Sequence, residues 1–269
     1  MRILVTNDDG IDADGLAVLC KIMKKFGQVF VVAPDNEQSA VGHSITLASP
    51  LRVREVRRNG ELFGYAVNGT PADCVKLALY NLTARFFGEG AGPTAFDLLV
   101  SGLNRGANVG INIFYSGTVA AALEGIIAGV PSVAISVEGY EKVDFEQAGG
   151  IAARVLGSLL DARPQSPWHF LNINIPSAPQ DRIRGVRIAK QNIRGFRESF
   201  EERRDPRGEN TYWMSGGIEP LREAPDDDTR LMADKYVTVT PLCYDMTNYR
   251  FKEMLEKADI SLEVKEERQ

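Results

Sequence analysis

The chain has 269 residues, 44% of them hydrophobic and 25% charged, with a formal net charge of −5, a length that suits one α/β core with an appendage and an acidic balance that speaks against a nucleic-acid groove and a duplex partner. Cys20, Cys74 and Cys243 stand far apart with no C-x-x-C pair, which excludes a disulfide framework or thiolate zinc site and fits a reducing cytoplasm. The first residues carry no basic leader with a cleavage site, and no run approaches about 18 unbroken apolar residues, so neither secretion nor membrane insertion is expected.

In chain order, Ile3-Leu4-Val5 is apolar on both faces, as a buried parallel strand is. Leu16, Leu19, Cys20, Met23 and Phe26 fall on one helical stripe that ends near Gly27, and Val29 to Ala33 is a second buried strand closed by Pro34 and Asp35. The three segments form a β-α-β unit. In NGTPADCVKLAL, Thr70 is placed to cap a helix, Pro71 to take its first position and Asp73 to complete a capping box, so a helix is predicted from there to Leu82. Phe96 to Val100 gives another buried strand, SGTVAAALEGIIAG a helix of small residues, PSVAIS a strand, Glu146 to Leu160 a helix, and HFLNINIP a strand. Together these predict a Rossmann-like, doubly wound and mostly parallel sheet.

After about Pro176 the character changes to GVRIAKQ, GENTYWMSGG and KYVTVTPL, separated by the charged stretches RESFEERRDPRG and EAPDDDTR. The three are expected to be hairpin strands of an arm or lobe, and the charged stretches solvated loops without chemistry. Exposed strand edges are pairing templates, so the arm is a candidate for contacts between subunits. DISLEVKEERQ closes the chain as a short strand with a charged tail. The expected division is a catalytic core at 1–180, an arm region at 181–240 and a returning segment at 241–269.

The first strand ends in Asn7-Asp8-Asp9-Gly10. In a doubly wound sheet ligands sit at the carboxyl ends of the strands. Adjacent carboxylates repel there unless a hard divalent cation takes an oxygen from each. The competing reading is turn chemistry, with Asp8 capping a turn, Asp9 capping the helix near Gly15 and Gly10 supplying a positive φ. Two other strand ends converge on the same edge. APDNEQSAVGHSITL offers the Ser39 hydroxyl, and SGLNRGANVGINIFYSGT carries glycines at 102, 106, 110 and 117 and asparagines at 104, 108 and 112. Asn104 and Asn108 can offer carbonyl oxygens to a cation or amide N–H groups to a phosphate. Ser116, Gly117 and Thr118 open a helix whose N-terminus suits an anion. This combination points to a phosphate beside a metal, with a loop that only packs the sheet as the alternative. No G-x-G-x-x-G follows the first strand, so a dinucleotide site is disfavoured.

ILVTNDDGIDADGL, VVAPDNEQSA, NGTPADCV, SGLNRGANVG and YSGTVAAALEG resemble, in that order, the SurE survival-protein family of metal-dependent nucleoside monophosphate phosphatases. The motifs reach to about residue 135 and continue weakly through KYVTVTPL. The resemblance implies one Mg²⁺ or Mn²⁺ per subunit on Asp8, Asp9, Ser39 and Asn104, and phosphate contacts at Asn108, Ser116, Gly117 and Thr118. It also implies a β-hairpin arm exchanged between the subunits of a homodimer or homotetramer. Ala40 stands where many members have glycine, and Asn112 where many bacterial members have an acid; a changed loop geometry and local charge are the expected consequences, with substrate range in question.

The expected reaction is hydrolysis of nucleoside 5′-monophosphates by a metal-activated water, with 3′-monophosphates and polyphosphate left open. Attack by Asp8 or Asp9 through an aspartyl-phosphate is disfavoured, because a carboxylate tied to metal is a poor nucleophile. His43 is a candidate acid and Glu37 a candidate cleft residue, whereas His169 precedes a strand and looks structural. Two alternatives remain: a module that binds a nucleotide or sugar phosphate without turnover, and an assembly protein working through its arm.

Overall fold

The computed structural model describes residues 1–139, 141–162, 170–193, 196–218 and 224–258; His169 and residues 259–269, whose roles were anticipated above, lie outside them. The elements are β1 (Arg2–Thr6), α1 (Asp14–Met23), β2 (Gln28–Pro34), β3 (Val53–Arg58), β4 (Glu61–Val67), α2 (Pro71–Leu77), α3 (Thr83–Phe87), β5 (Leu98–Arg105), α4 (Gly117–Ile127), β6 (Ser132–Val137), α5 (Phe145–Asp161), β7 (Phe170–Ile175), β8 (Val186–Ile188), β9 (Phe196–Arg204), β10 (Asn210–Ile218), α6 (Asp228–Ala233), β11 (Val237–Pro241) and α7 (Tyr249–Glu256).

Among the described residues the main sheet runs β3-β4-β2-β1-β5-β6-β7-β11-β8. Neighbours from β4 through β7 are parallel. At the margins β3 opposes β4 and β11 opposes β7. From β1 the chain winds outward through β2 to β4, then returns to start the other way from β5. The switch of direction lies between β1 and β5, whose carboxyl ends meet where Thr6 pairs with Ser101.

Alternation along the strands feeds two apolar layers. Ile3 and Val5 pack with Leu16 and Leu19 of α1 and Ile151 and Leu156 of α5, while Leu4 packs on the opposite face with Val75 of α2 and Ala121 and Ile126 of α4. Full burial of such a side chain stabilises by about 1.5–3 kcal/mol, which is why both faces of the central strands are apolar.

The capping box forms as expected: Thr70 Oγ1 accepts from the Asp73 N–H at 3.1 Å, and Asp73 Oδ2 accepts from the Thr70 N–H at 2.9 Å. The Thr70 hydroxyl also donates to the Ser44 carbonyl at 2.7 Å, tying the loop after β2 to this helix. Thr70→Ala is expected to cost about 1–2 kcal/mol and to lower the thermal midpoint by roughly 3 °C, read by circular dichroism. The predicted helix continues to Leu82, but through a π-helical turn at Ala78–Leu82. There the Thr83 hydroxyl donates back to the carbonyls of Ala78 and Leu79 and widens the ladder.

Three expectations change. The hairpin β3–β4, turning at Asn59 (φ 52°) and Gly60 (φ 83°), was not anticipated, because Arg54, Glu55, Arg57 and Arg58 mask its alternation. RESFEERR is a strand, not a loop: β9 pairs with β10 along its length, and only Asp205 to Gly208 turn. A ribbon exposed on both faces buries no side, so no alternation of buried and exposed residues betrays it. GVRIAKQ and KYVTVTPL contribute β8 and β11 to the main sheet, so the segment standing apart is 196–218.

Candidate functional site

The turn after β1 is closed by Asn7, whose Nδ2 donates to the Gly10 carbonyl at 2.9 Å, and Gly10 takes φ 99°. This removes the capping role proposed for the carboxylates: α1 is preceded by Ala13, with no side-chain cap. Asp8 is instead turned inward and 5% exposed, and it accepts a short hydrogen bond from the Thr118 hydroxyl. Burial pushes its carboxyl up to about 6, the Asp9 charge adds to this, and Thr118 opposes it. Asp9 is half-buried, accepts from the Arg105 N–H at 3.3 Å, and is likewise raised, chiefly by burial, with Glu37 adding repulsion.

The loop after β2 is laid against this turn. The Gln38 N–H donates to the Asp8 carbonyl at 2.7 Å and the Gly42 N–H to the Tyr115 carbonyl at 3.0 Å, and the Ser39 hydroxyl donates to Glu37 Oε1 at 2.5 Å. Ala40 has φ 56°, the left-handed region in which glycine is preferred, so the anticipated change of loop geometry has a specific locus.

From β5, Asn104 donates its Nδ2 to the Gly106 carbonyl at 2.7 Å, which leaves Oδ1 as an open acceptor. Asn108 is held from the sheet. Its N–H donates to Asn174 Oδ1 at 2.7 Å, its carbonyl accepts from Asn172 at 2.7 Å and Asn174 at 3.1 Å, and its Nδ2 donates to Ser136 Oγ at 2.8 Å. One amide proton of Asn108 therefore stays uncommitted. Ser116 caps α4, its Oγ accepting from the Val119 N–H at 3.1 Å. A Cβ on Gly117 would stand 2.8 Å from Asp8 Cβ and 3.0 Å from its Oδ2. Thr118 spends its side chain on Asp8 and is wholly buried.

Asp8, Ser39, Asn104, Asn108 and Ser116 thus line one cavity of about 280 Å³, together with Ala40, Arg105, Asn112 and Tyr115 among others. Asp9, Gly117 and Thr118 are neighbours in sequence of lining residues but do not themselves line it. A larger groove of about 460 Å³ between α5 and β8–β11 is mainly apolar and has no acidic residue or histidine in its lining. His43 lines neither: its Nε2 lies 2.7 Å from Glu124 Oε1, facing a separate cavity bordered by Phe114, Leu123 and Tyr244. Glu124 also binds Lys76 at 2.8 Å. Burial raises that carboxyl, but the His43 and Lys76 hydrogen bonds outweigh it and hold it below its usual range.

Among the described residues no group of three His, Cys, Asp or Glu is placed to hold a metal ion by itself. The oxygens lining this cavity include the Asp8 carboxylate, the Ser39 hydroxyl and the Asn104 amide carbonyl, and the Asp9 carboxylate is next in the chain to Asp8. Such a hard set fits a divalent cation of the Mg²⁺ or Mn²⁺ type, and Asp8, a buried acid whose side chain is met by a neutral hydroxyl, supplies the electrostatic demand for one.

The polar residues behind the site escaped the sequence reading. Asn172 and Asn174 alternate with apolar neighbours in LNINI, so they share a face, and that period-two signal was available. Asp228 was assigned to a solvated stretch but is fully buried at the start of α6, capped by Asp227.

A family model described as Survival protein SurE matches residues 3–198. A protein of Heliobacterium modesticaldum named 5'-nucleotidase SurE is 44% identical over 93% of this chain and 88% of its own length. One of the same name from Syntrophobacter fumaroxidans is 42% identical over 96% and 99%. The crystal structure of the SurE protein from Aquifex aeolicus superposes with a TM-score of 0.80 at 34% identity, covering 97% of this chain and all of that one.

Proposed function

The chain belongs to the SurE survival-protein family, and on that premise we propose that it is a phosphoric monoester hydrolase that cleaves nucleoside 5′-monophosphates. The observation that carries the reading is the convergence of Asp8, Ser39, Asn104, Asn108 and Ser116 on one small cavity at the β1–β5 switch point.

Asp8, Asp9, Ser39 and Asn104 would hold a single Mg²⁺ or Mn²⁺, which when bound neutralises charge on the phosphoryl group and lowers the pKa of a water. The phosphate lies at the start of α4, where the Gly117 N–H and the positive end of the helix face it. The free amide proton of Asn108 orients one of its oxygens, and Asn112 and Tyr115 form the wall beside the ester. Water attacks phosphorus in line: the new P–O bond forms as the P–O ester bond breaks, the water loses a proton to solvent and the departing nucleoside oxygen takes one up from solvent, leaving as the alcohol. The His43 imidazole is committed to Glu124 and outside this cavity, so it serves packing of the Ser39 loop and not proton transfer.

The hairpin 196–218 shows Phe200, Tyr212, Trp213 and Met214 to solvent, apolar surface of the kind a partner covers. We take a second copy of the chain to be that partner, in a dimer or tetramer. Among the described residues no helix is long and apolar enough to cross a membrane.

The test is inorganic phosphate release from nucleoside 5′- and 3′-monophosphates and polyphosphate with Mn²⁺, Mg²⁺ or EDTA. Release from 5′-monophosphates that EDTA abolishes and either cation restores is the expected outcome. A folded protein that binds Mn²⁺ yet releases nothing from any substrate would replace the hydrolase by a nucleotide- or sugar-phosphate-binding module.

A further inference from the structure

Gly110 lies midway between Asn108 and Asn112, two of the three asparagines on the cavity wall, and takes φ 59°. Both of its backbone polar groups are held from outside the loop. Its N–H donates to Asp228 Oδ2 at 2.9 Å, and its carbonyl accepts from Gln191 Nε2 at 2.9 Å. The other Asp228 oxygen accepts from the Asn192 N–H at 3.1 Å. Asp228 is wholly buried, so one carboxylate ties together two backbone segments far apart in sequence.

Asn192 and Asp228 themselves belong to the two feet of the hairpin. Residues 190–192 precede it and 226–228 follow it, joined by the Lys190 N–H to the Asp226 carbonyl at 3.1 Å and the Asp228 N–H to the Lys190 carbonyl at 2.9 Å. Asn192 Nδ2 adds a bond to Thr229 Oγ1 at 2.8 Å. The loop is therefore clamped twice, at Asn108 by the sheet and at Gly110 by the hairpin's feet. The 3-10 turn Gly110–Phe114 begins at the second clamp and carries Asn112 and Tyr115 onward to Ser116.

Resting on the phosphatase reading above, we propose that Asp228 is a positioning residue for substrate: through Gly110 it fixes the wall formed by Asn112 and Tyr115 against which the phosphate ester is seated. Asp228 touches no reacting atom. Its loss loosens the wall and leaves Asp8, Asp9 and Asn104, which are held elsewhere, in place. Gln191 is its helper on the carbonyl side.

Asp228→Asn keeps the shape but leaves one acceptor oxygen for two N–H groups, and Gln191→Leu removes only the bond to the Gly110 carbonyl. In steady-state assays with a nucleoside 5′-monophosphate, KM is expected to rise about tenfold in Asp228→Asn and about threefold in Gln191→Leu, while kcat stays within about threefold. The Kd of inorganic phosphate in the presence of Mn²⁺, by titration calorimetry, is expected to rise in parallel. Unchanged KM and Kd in folded variants would overturn the proposal, as would a loss confined to kcat. If Asp228→Asn does not fold, Gln191→Leu decides by the same two readouts. Wild-type protein without turnover sinks the phosphatase reading, and the calorimetric comparison then decides the role of Asp228 alone.

Discussion

Replacing Asp8 by Asn is expected to abolish phosphate release, by at least about a thousandfold, and at the same time to make the metal-free protein more stable. The first effect follows from the role proposed for this carboxylate, neutralising a cation; three decades of rate correspond to about 4 kcal/mol of transition-state stabilisation. The second follows from burial. The carboxyl sits at about 6, against an ordinary 3.8, so the folded state holds this proton more tightly than the unfolded chain does. Its contribution to stability is complete below about pH 4 and is lost as pH rises through 6, a cost of about 3 kcal/mol at neutral pH. The amide of the Asp8→Asn variant carries no charge and escapes it. Thermal melts in EDTA from pH 4 to 8 should therefore show wild type weakening with rising pH and Asp8→Asn lying above it at pH 7. Saturating Mn²⁺ should raise the wild type and leave the variant nearly unmoved. Identical pH slopes for the two proteins would remove Asp8 as the buried acid.

Gly117→Ala tests the same centre from the opposite side, without altering any titratable group. The added methyl would stand 2.8 Å from Asp8 Cβ, 3.0 Å from Asp8 Oδ2 and 3.1 Å from Pro71 Cγ. None of these neighbours is the free end of a flexible chain. Asp8 is held by Thr118, and Pro71 is the first residue of α2. Relief requires α4 to move away from β1, at a cost of about 1–3 kcal/mol. A shift of a few tenths of an ångström to an ångström at the helix N-terminus displaces the phosphate seat relative to the carboxylates, and activity is expected to fall about a hundredfold. Circular dichroism should show the fold retained. Full activity in Gly117→Ala would mean that the start of α4 does not face the phosphate.

Much of this arrangement was legible because the central strands are buried on both faces and stop abruptly at polar residues. Ile3-Leu4-Val5 ends in NDDG and Leu98 to Val100 leads into SGLNRG, so the strand ends announce the cavity edge. Topology alone brings Ser39 and Asn104 to that edge. The reading lost its power where periodicity carries no burial signal. In β9 every side chain from Arg197 to Arg204 is exposed, so its charge pattern is that of a loop. DDD was read as solvated because charge usually is, yet two of its three residues are buried, and what permits this is hydrogen bonding: the N–H groups of Gly110 and Asn192 reach Asp228, and the Arg230 N–H and Thr229 hydroxyl reach Asp227. The donors to Asp228 lie 36 and 118 residues away along the chain and become partners only once the sheet has formed.

The polar stripe beneath the Asn108 loop sets a limit on how robust this enzyme can become. Ser136 pairs with Asn174 and Asn174 with Thr238, and Asn172 lies opposite Thr240, all fully or almost fully buried in the sheet. The hydroxyls of Thr238 and Thr240 and Oδ1 of Asn172 have no hydrogen-bond partner, a deficit of the kind that costs roughly 1–3 kcal/mol per group. A chain selected only for heat tolerance would exchange these residues for valine or leucine. The threonines are open to that exchange, since neither hydroxyl is engaged, whereas Asn172 and Asn174 anchor Asn108 and are not. Thermostable variants of this protein should accumulate changes on β11 and leave β7 untouched, so that the record of selection along two adjacent strands would itself mark which of them supports the proposed site.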